Sequence, residues 1–228
     1  MYKNISNIYL YMINTPYFTT KLSTTVMLYP HQMNEKIYLN LKKNLEEKVL
    51  NKCFNKYGYV IKVIEILKYS EAIIEAENID ASALFSIDFS CKLCLPMKNM
   101  QIIGQIKKFN KLLLVAENGP ISIIITSNRT TSNVFFKDNN NNLRYKNKNG
   151  ESSLLKAFDF IKITIQTVKF FNGDEKITAI GFLNDMATED EIKTFYTDIY
   201  SETNIIDHNK FIALYGTETT EEPEVSDI

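Results

Sequence analysis

Leu84-Phe-Ser-Ile-Asp-Phe-Ser-Cys-Lys-Leu93 is the stretch whose reading decides the fold. Phe85, Ile87, Phe89, Cys91 and Leu93 alternate with Ser86, Asp88, Ser90 and Lys92. A period of two places each set on its own face of a strand. One face is buried and one is wet, as in an antiparallel sheet covered on one side by a helix. That helix is predicted upstream, over residues 34–56. Ile37, Leu41, Leu45 and Val49 recur every four residues and form a single apolar stripe. Asn34 reads as its N-cap and Gly58 as its stop. Residues 18–28, rich in Thr and Val, predict a strand closed by Pro30. Tyr59 to Tyr69 is a β-branched run, with a turn near Ser70–Glu71 leading back into Ala72–Ala76. The first half therefore reads as an α+β unit of strand, helix and three strands.

After Pro96–Asn99, which reads as a linker, only strands follow. Gln101–Phe109, Lys111–Ala116 and Ile121–Thr126 come first, with a turn at Asn118-Gly119-Pro120. Phe160–Val168 alternates cleanly, and Asn172-Gly173 is the strongest hairpin signal in the chain before Lys176–Leu183. Five short antiparallel strands suit a small OB-type barrel. The gap from Ser127 to Ala157 exceeds an ordinary loop, and its Asp138–Asn142 run reads as mobile. Thr188 with Glu191 forms a capping box ahead of Ile192, Phe195, Tyr196 and Ile199 at helical spacing. The predicted divisions are an extension over 1–18, an α+β domain over 19–96 and an all-β OB-fold barrel over 97–185. The barrel carries an insertion near 128–157. A C-terminal helical segment over 186–216 and an acidic, disordered tail over 217–228 complete the chain.

The 228 residues allow two small domains, each with its own core. The net charge of −1 speaks against nucleic acid only until it is divided along the chain. Residues 1–98 carry +3 and residues 99–185 carry +5, whereas 186–216 carry −4 and 217–228 carry −5. The body is mildly basic and the end is acidic. No apolar run approaches the roughly 18 residues of a membrane helix, so no membrane partner is expected. Three Cys and no signal-peptide pattern predict a reducing, intracellular compartment. The Lys, Asn and Ile bias matches an AT-rich coding sequence.

Catalytic chemistry finds little material. Cys91-Lys-Leu-Cys94 has redox spacing, but a redox pair belongs at a helix N-terminus and this one lies on a strand. A three-residue step along a strand turns its two thiols to opposite faces, so buried structural cysteines are expected. His31 and His208 have no base-and-orienter arrangement around them, and a single Gly in Asn118-Gly-Pro120 cannot build a phosphate loop. No metal, cofactor or catalytic residue is assigned. A basic, aromatic-bearing surface remains: Lys107, Lys108, Phe109 and Lys111 at one hairpin, and Lys162 and Lys169 on the long strand. OB barrels hold single strands by stacking bases on aromatics and tracking phosphates with Lys. A barrel with Phe in its core and Lys on its surface explains the same composition, and composition does not decide between them.

The order of segments resembles one family. Leu28-Tyr-Pro30 is followed by Leu41-Lys-Lys-Asn-Leu45-Glu-Glu-Lys-Val49, then Lys52-Cys53 and Tyr57-Gly58-Tyr59-Val60-Ile-Lys-Val63. Phe85-Ser-Ile87-Asp-Phe89, Pro96, Ile102-Ile-Gly104-Gln-Ile106 and Gly119-Pro120-Ile121 complete the set. Together these resemble the RNA polymerase stalk subunits, the seventh subunit of eukaryotic polymerase II and its archaeal counterpart. The resemblance covers about residues 19–126 by motif. It departs at Asn99 and Met100, where the family has an acidic residue and Val, and at Lys111, where the family favours Gly.

The resemblance implies a non-catalytic stalk subunit of a multisubunit DNA-directed RNA polymerase. Its N-terminal tip domain would dock on core subunits through Pro30, Tyr57, Gly58 and Tyr59, with Gly58 there for its backbone. Its OB-fold would meet nascent single-stranded RNA through Lys107, Lys108, Phe109, Lys111, Lys162 and Lys169. A smaller stalk subunit would be a further partner. The composition and the departures fit a large-DNA-virus polymerase, working in a cytoplasmic viral factory or virion, better than a nuclear one. A free-standing OB-fold protein that binds single-stranded RNA is the alternative.

Overall fold

Strand β4 (Ala83–Cys94) is the spine of a four-stranded antiparallel sheet in the order β1-β4-β3-β2. It lies between β1 (Tyr17–Leu28) and β3 (Gly58–Tyr69), and the short β2 (Cys53–Phe54) pairs with the start of β3. A computed structural model of the chain describes residues 15–76, 78–110, 112–126, 128–131, 134–138, 143–146 and 152–193. Helix α1 (Ile37–Val49) covers one face of the sheet with Leu41, Leu45 and Val49. These meet Phe85, Ile87, Phe89, Cys91 and Leu93 in one apolar cluster, as the alternation predicts. β4 is buried along much of its length because it has a neighbour on each edge and a helix over one face.

Several expectations need correction. The helix ends at Val49, not residue 56, because the apolar stripe stops there. Leu50 turns extended, and Asn51 and Asn55 take left-handed conformations, with φ of 57° and 49°, that return the chain as the β2–β3 hairpin. Gly58 therefore opens a strand instead of closing a helix. Asn34 organises the turn ahead of the helix, accepting the Lys36 N–H at 2.9 Å, while Lys36 is the N-cap. Ala72–Ala76 is not a strand: only Ile73 bridges to Leu84. β3 takes β4 as its partner instead, with register shifts after Val60, Val63 and Ile66. The bulged strand keeps those three residues on the core side at a spacing of three, so its sequence shows no alternation.

The second half is a closed barrel of β5 (Gln101–Phe109), β6 (Leu113–Asn118), β7 (Ile121–Thr126), β11 (Phe160–Lys169) and β12 (Ile177–Met186). Its cyclic order β5-β6-β7-β12-β11 is OB-like. Not every pair is antiparallel: β7 and β12 run parallel, Ile121 beside Ile177 and Ile124 beside Ile180. β6 starts at Leu113, not Lys111, because the Asn110 side chain accepts the N–H groups of Leu112 and Leu113 and holds a turn there. Gly104 and Gly181 face inward, where a Cβ on either would press on Ile163. The long gap holds a small sheet of its own: β8 (Phe135–Lys137), β9 (Leu143–Lys146) and β10 (Ser152–Leu154), in the order β10-β9-β8. Residues 189–193 are helical. The N-terminal extension up to residue 14, the Asn139–Asn142 run, the helix beyond Lys193, His208 and the acidic tail lie outside the described residues.

Sheet and barrel are joined by specific polar contacts. The Tyr17 hydroxyl donates to Asn118 Oδ1 at 2.7 Å, and Asn118 Nδ2 donates to the Ile103 carbonyl at 2.7 Å. Gly119, at φ +53°, leaves room for that hydroxyl. The Asn172–Gly173 hairpin forms a second joint. Gly173 N–H bonds to the Cys53 carbonyl at 2.7 Å, and Cys53 N–H bonds to the Asp174 carbonyl at 2.8 Å. Both joints lie at the Cys94 end of β4, because Tyr17 and Tyr59 both pair with Cys94.

Candidate nucleic-acid interface

The exposed basic residues begin where β5 loses its alternation. Ile106 pairs with Ala116 and Lys108 with Val115, so one residue is bulged out between them. Beyond this bulge Lys107, Lys108 and Phe109 are all exposed in succession. Lys108, Phe109, Asn110, Leu113, Val115 and Ala157 line an open pocket of about 520 Å³ at this end of the barrel. Phe158 stands beside it. The residue is 64% exposed, and the Lys107 ammonium lies 5.7 Å from the ring centroid. Phe158 also holds φ at +74°, a strained conformation for an aromatic residue. Two bonds hold the turn: Phe158 N–H to the Ile106 carbonyl at 2.8 Å, and Lys156 N–H to Asp159 Oδ2 at 2.8 Å. The turn thus keeps an exposed aromatic in a strained conformation beside a cation.

The sequence-predicted set is not one cluster. Lys107, Lys108 and Phe109 are together. Lys162 is half-buried on β11, directly opposite Asp185, so its charge has an acid beside it. Lys169 lies at the far end of β11, its ammonium 5.2 Å from the Phe171 ring centroid and next to the Asn172–Gly173 joint. β11 runs from Phe160, two residues past Phe158, to Lys169, so its nine steps span about 30 Å at roughly 3.3 Å per residue. Lys111 lies outside the described residues. Sequence reasoning did not single out Phe158 and Lys156. The available signal was that Phe158 falls outside the Ile161-Ile163-Ile165 alternation and so has no core position to fill.

The four docking candidates divide as well. Tyr57, Gly58 and Tyr59 lie at the Cys94 end, beside the barrel. Tyr57 stacks on Phe54 with ring centroids 6.1 Å apart. Gly58, at φ +123°, lies so close to β4 that a Cβ would sit 2.6 Å from the Cys94 carbonyl oxygen. Tyr59 is half-buried, and burial raises its hydroxyl pKa above the ordinary 10. Pro30 opens a 3-10 turn at the opposite end, two residues beyond Leu28, which pairs with Ala83. There Met27, Leu84 and Ile73 form a cross-strand apolar row, with Met27 44% and Ile73 62% exposed. Tyr29 stacks on His31 beside it, and Ile74 and Ile79 are exposed in the loop that follows β3.

Cys91 belongs to the core under α1, whereas Cys94 is buried near Tyr17, so the strand does turn the two thiols apart. Burial pushes Cys91 to about 11. Burial and the neighbouring Asp174 carboxylate push Cys53 to about 11. Burial raises Cys94 further still, against a side-chain interaction with Tyr17. At pH 8 all three are thiols, the unreactive form. Maleimide labelling at pH 8 should therefore be slow in the native protein and complete within minutes in guanidinium. Rapid native labelling of Cys91 or Cys94 would refute this placement. Among the described residues, no group of three His, Cys, Asp or Glu side chains is placed to hold a metal, and no helix is long and apolar enough to cross a membrane.

Residues 23–79 match the family model described as the SHS2 domain found in the N terminus of Rpb7p/Rpc25p/MJ0397. The chain is also 35% identical over 198 residues to a protein of Acanthamoeba polyphaga mimivirus assigned as DNA-directed RNA polymerase subunit L376, covering 86% of this chain and 97% of that one. The chain belongs to the Rpb7-type family of RNA polymerase stalk subunits. DNA-directed RNA polymerase II subunit RPB7 of Saccharomyces cerevisiae is 23% identical over 133 residues, 57% of this chain and 76% of that one. The Rpb7-type match ends at residue 79, so the family model covers the distal loop, α1 and β3 but not the barrel. In this stalk subunit the basic-aromatic surface lies outside the matched segment.

Proposed function

We propose that this subunit is a non-catalytic adaptor of its polymerase, with docking and RNA contact assigned to two separate surfaces. The distal row of Met27, Leu84 and Ile73, with Tyr29, Pro30 and the exposed Ile74 and Ile79, docks on the core. The barrel end with Lys107, Lys108, Phe109 and Phe158 contacts nascent single-stranded RNA. The single observation that carries this reading is the separation. The apolar row lies about 33 Å along β4 from the joints, at roughly 3.3 Å per residue, and the basic-aromatic end of β5 leads away from them on the barrel side. The polar joints between sheet and barrel suit an element that holds one surface at a set distance from the other. Tyr57, Gly58 and Tyr59 then act in the joint, not in docking. A smaller stalk subunit is a further expected partner, and the chain works where its polymerase works, in a viral factory or virion for a viral enzyme.

Affinity purification of the polymerase from cells making the tagged chain tests this reading. The parent chain should recover the largest core subunits in near-equal amount. Met27→Glu with Ile73→Glu should reduce recovery more than tenfold, as loss of central interface anchors does. Tyr57→Ala should leave it within about twofold. If the parent recovers no core subunits and still binds RNA, the chain is a free-standing OB-fold protein and the docking assignment is wrong.

A further inference from the structure

We infer that the β8–β9–β10 sheet extends the single-strand track beyond the barrel, an inference that rests on reading the barrel end as an RNA surface. The register puts Phe136, Arg144 and Leu154 in one cross-strand row. All three side chains are more than a third exposed. In the alternate row Phe135 is only 2% exposed, and Tyr145 and Ser153 are half-buried. Arg144 Nε lies 3.3 Å from Asp138 Oδ2, and the register sets Arg144 between Phe136 and Leu154. An arginine plane flanked by an exposed aromatic is a platform on which bases stack.

The row is continuous with the barrel surface. β10 ends at Leu154, Leu155 is buried, and Lys156, Ala157 and Phe158 follow. Ala157 lines the barrel pocket, and Phe158 lies under Lys107. Four residues span at most about 14 Å of chain, so one strand of RNA can follow both surfaces. Charge selects the occupant. Residues 128–157 carry six Lys or Arg, including both arginines of the chain, against two acids, although the whole chain is at −1. A patch at a protein interface core is depleted of charge, whereas a polyanion is complementary to this one.

The test is fluorescence anisotropy at low salt with oligouridylates of about six and about eighteen nucleotides, the first within and the second beyond the roughly 4–16 nucleotides of a single OB site. Phe136→Ala with Arg144→Ala should weaken the longer oligomer about tenfold and leave the shorter within about twofold. Lys146→Glu, at the exposed end of β9, should do the same with no aromatic removed. Lys107→Glu with Lys108→Glu should weaken both lengths. The inference is overturned if the parent binds the longer oligomer and the insertion variants bind it equally well. Loss of polymerase recovery in those variants with RNA affinity unchanged would overturn it too, since the row would then hold a protein. Absence of any RNA binding by the parent would remove the barrel reading first and this inference with it.

Discussion

Replacing Gly58 with alanine is expected to lower the melting temperature by roughly 10 °C. Two effects combine. At φ +123° an L-residue is strained, which costs about 1–3 kcal/mol. The added Cβ would also sit 2.6 Å from the Cys94 carbonyl oxygen, a main-chain atom of the central strand that cannot rotate away. Moving a packed backbone adds about 1–3 kcal/mol. In a chain of this size each kcal/mol shifts the midpoint by about 2–4 °C. Gly173 is the control: its φ is +89°, and a Cβ there would meet no atom within 4 Å, so Gly173→Ala meets the strain alone. Thermal melts of both variants separate the effects. Equal losses would show that the approach of β3 to β4 at Gly58 is not what excludes a side chain.

Reversing Lys107 and Lys108 to Glu is expected to reduce affinity for single-stranded RNA at least tenfold at low salt. Each phosphate contact on a single strand contributes about −0.7 to the slope of log affinity against log salt, so removing two should flatten it by about 1.4. Lys169→Glu should change affinity less than about threefold, because Lys169 lies at the opposite end of β11 beside the joint. Anisotropy titrations across a salt series measure both quantities. If Lys169→Glu matches the double reversal, binding follows overall charge and the barrel end is not a site. Phe158→Ala, which removes no charge, should weaken binding about fivefold or more if a base stacks on that ring.

Much of the fold was legible because local periodicity reports burial. β4 alternates since its core residues share one apolar cluster with α1, and α1 shows its stripe since it packs by one face. Legibility failed where the period is broken. β3 has three register shifts, so its repeat of three hides its pairing, and the partner expected from Ala72–Ala76 is supplied by β4. The bulge after Ile106 brings Lys107, Lys108 and Phe109 out together, and nothing in those residues alone distinguishes that from an ordinary strand end.

The sequence by itself determined the main elements and their order, though not β8–β10 or the end of the strand run at Ala72–Ala76, together with the α+β half followed by the β half and a polymerase stalk resemblance carried by residues 19–126. Those depend on side-chain chemistry repeated at short range. Only the tertiary structure decided that β7 and β12 run parallel, that Pro30 and Tyr57 lie at opposite ends of one sheet, and that Phe158 joins Lys107 while Lys169 does not. Those are contacts between residues distant in the chain. They depend on which strands find each other and in which register, and no local period encodes that choice.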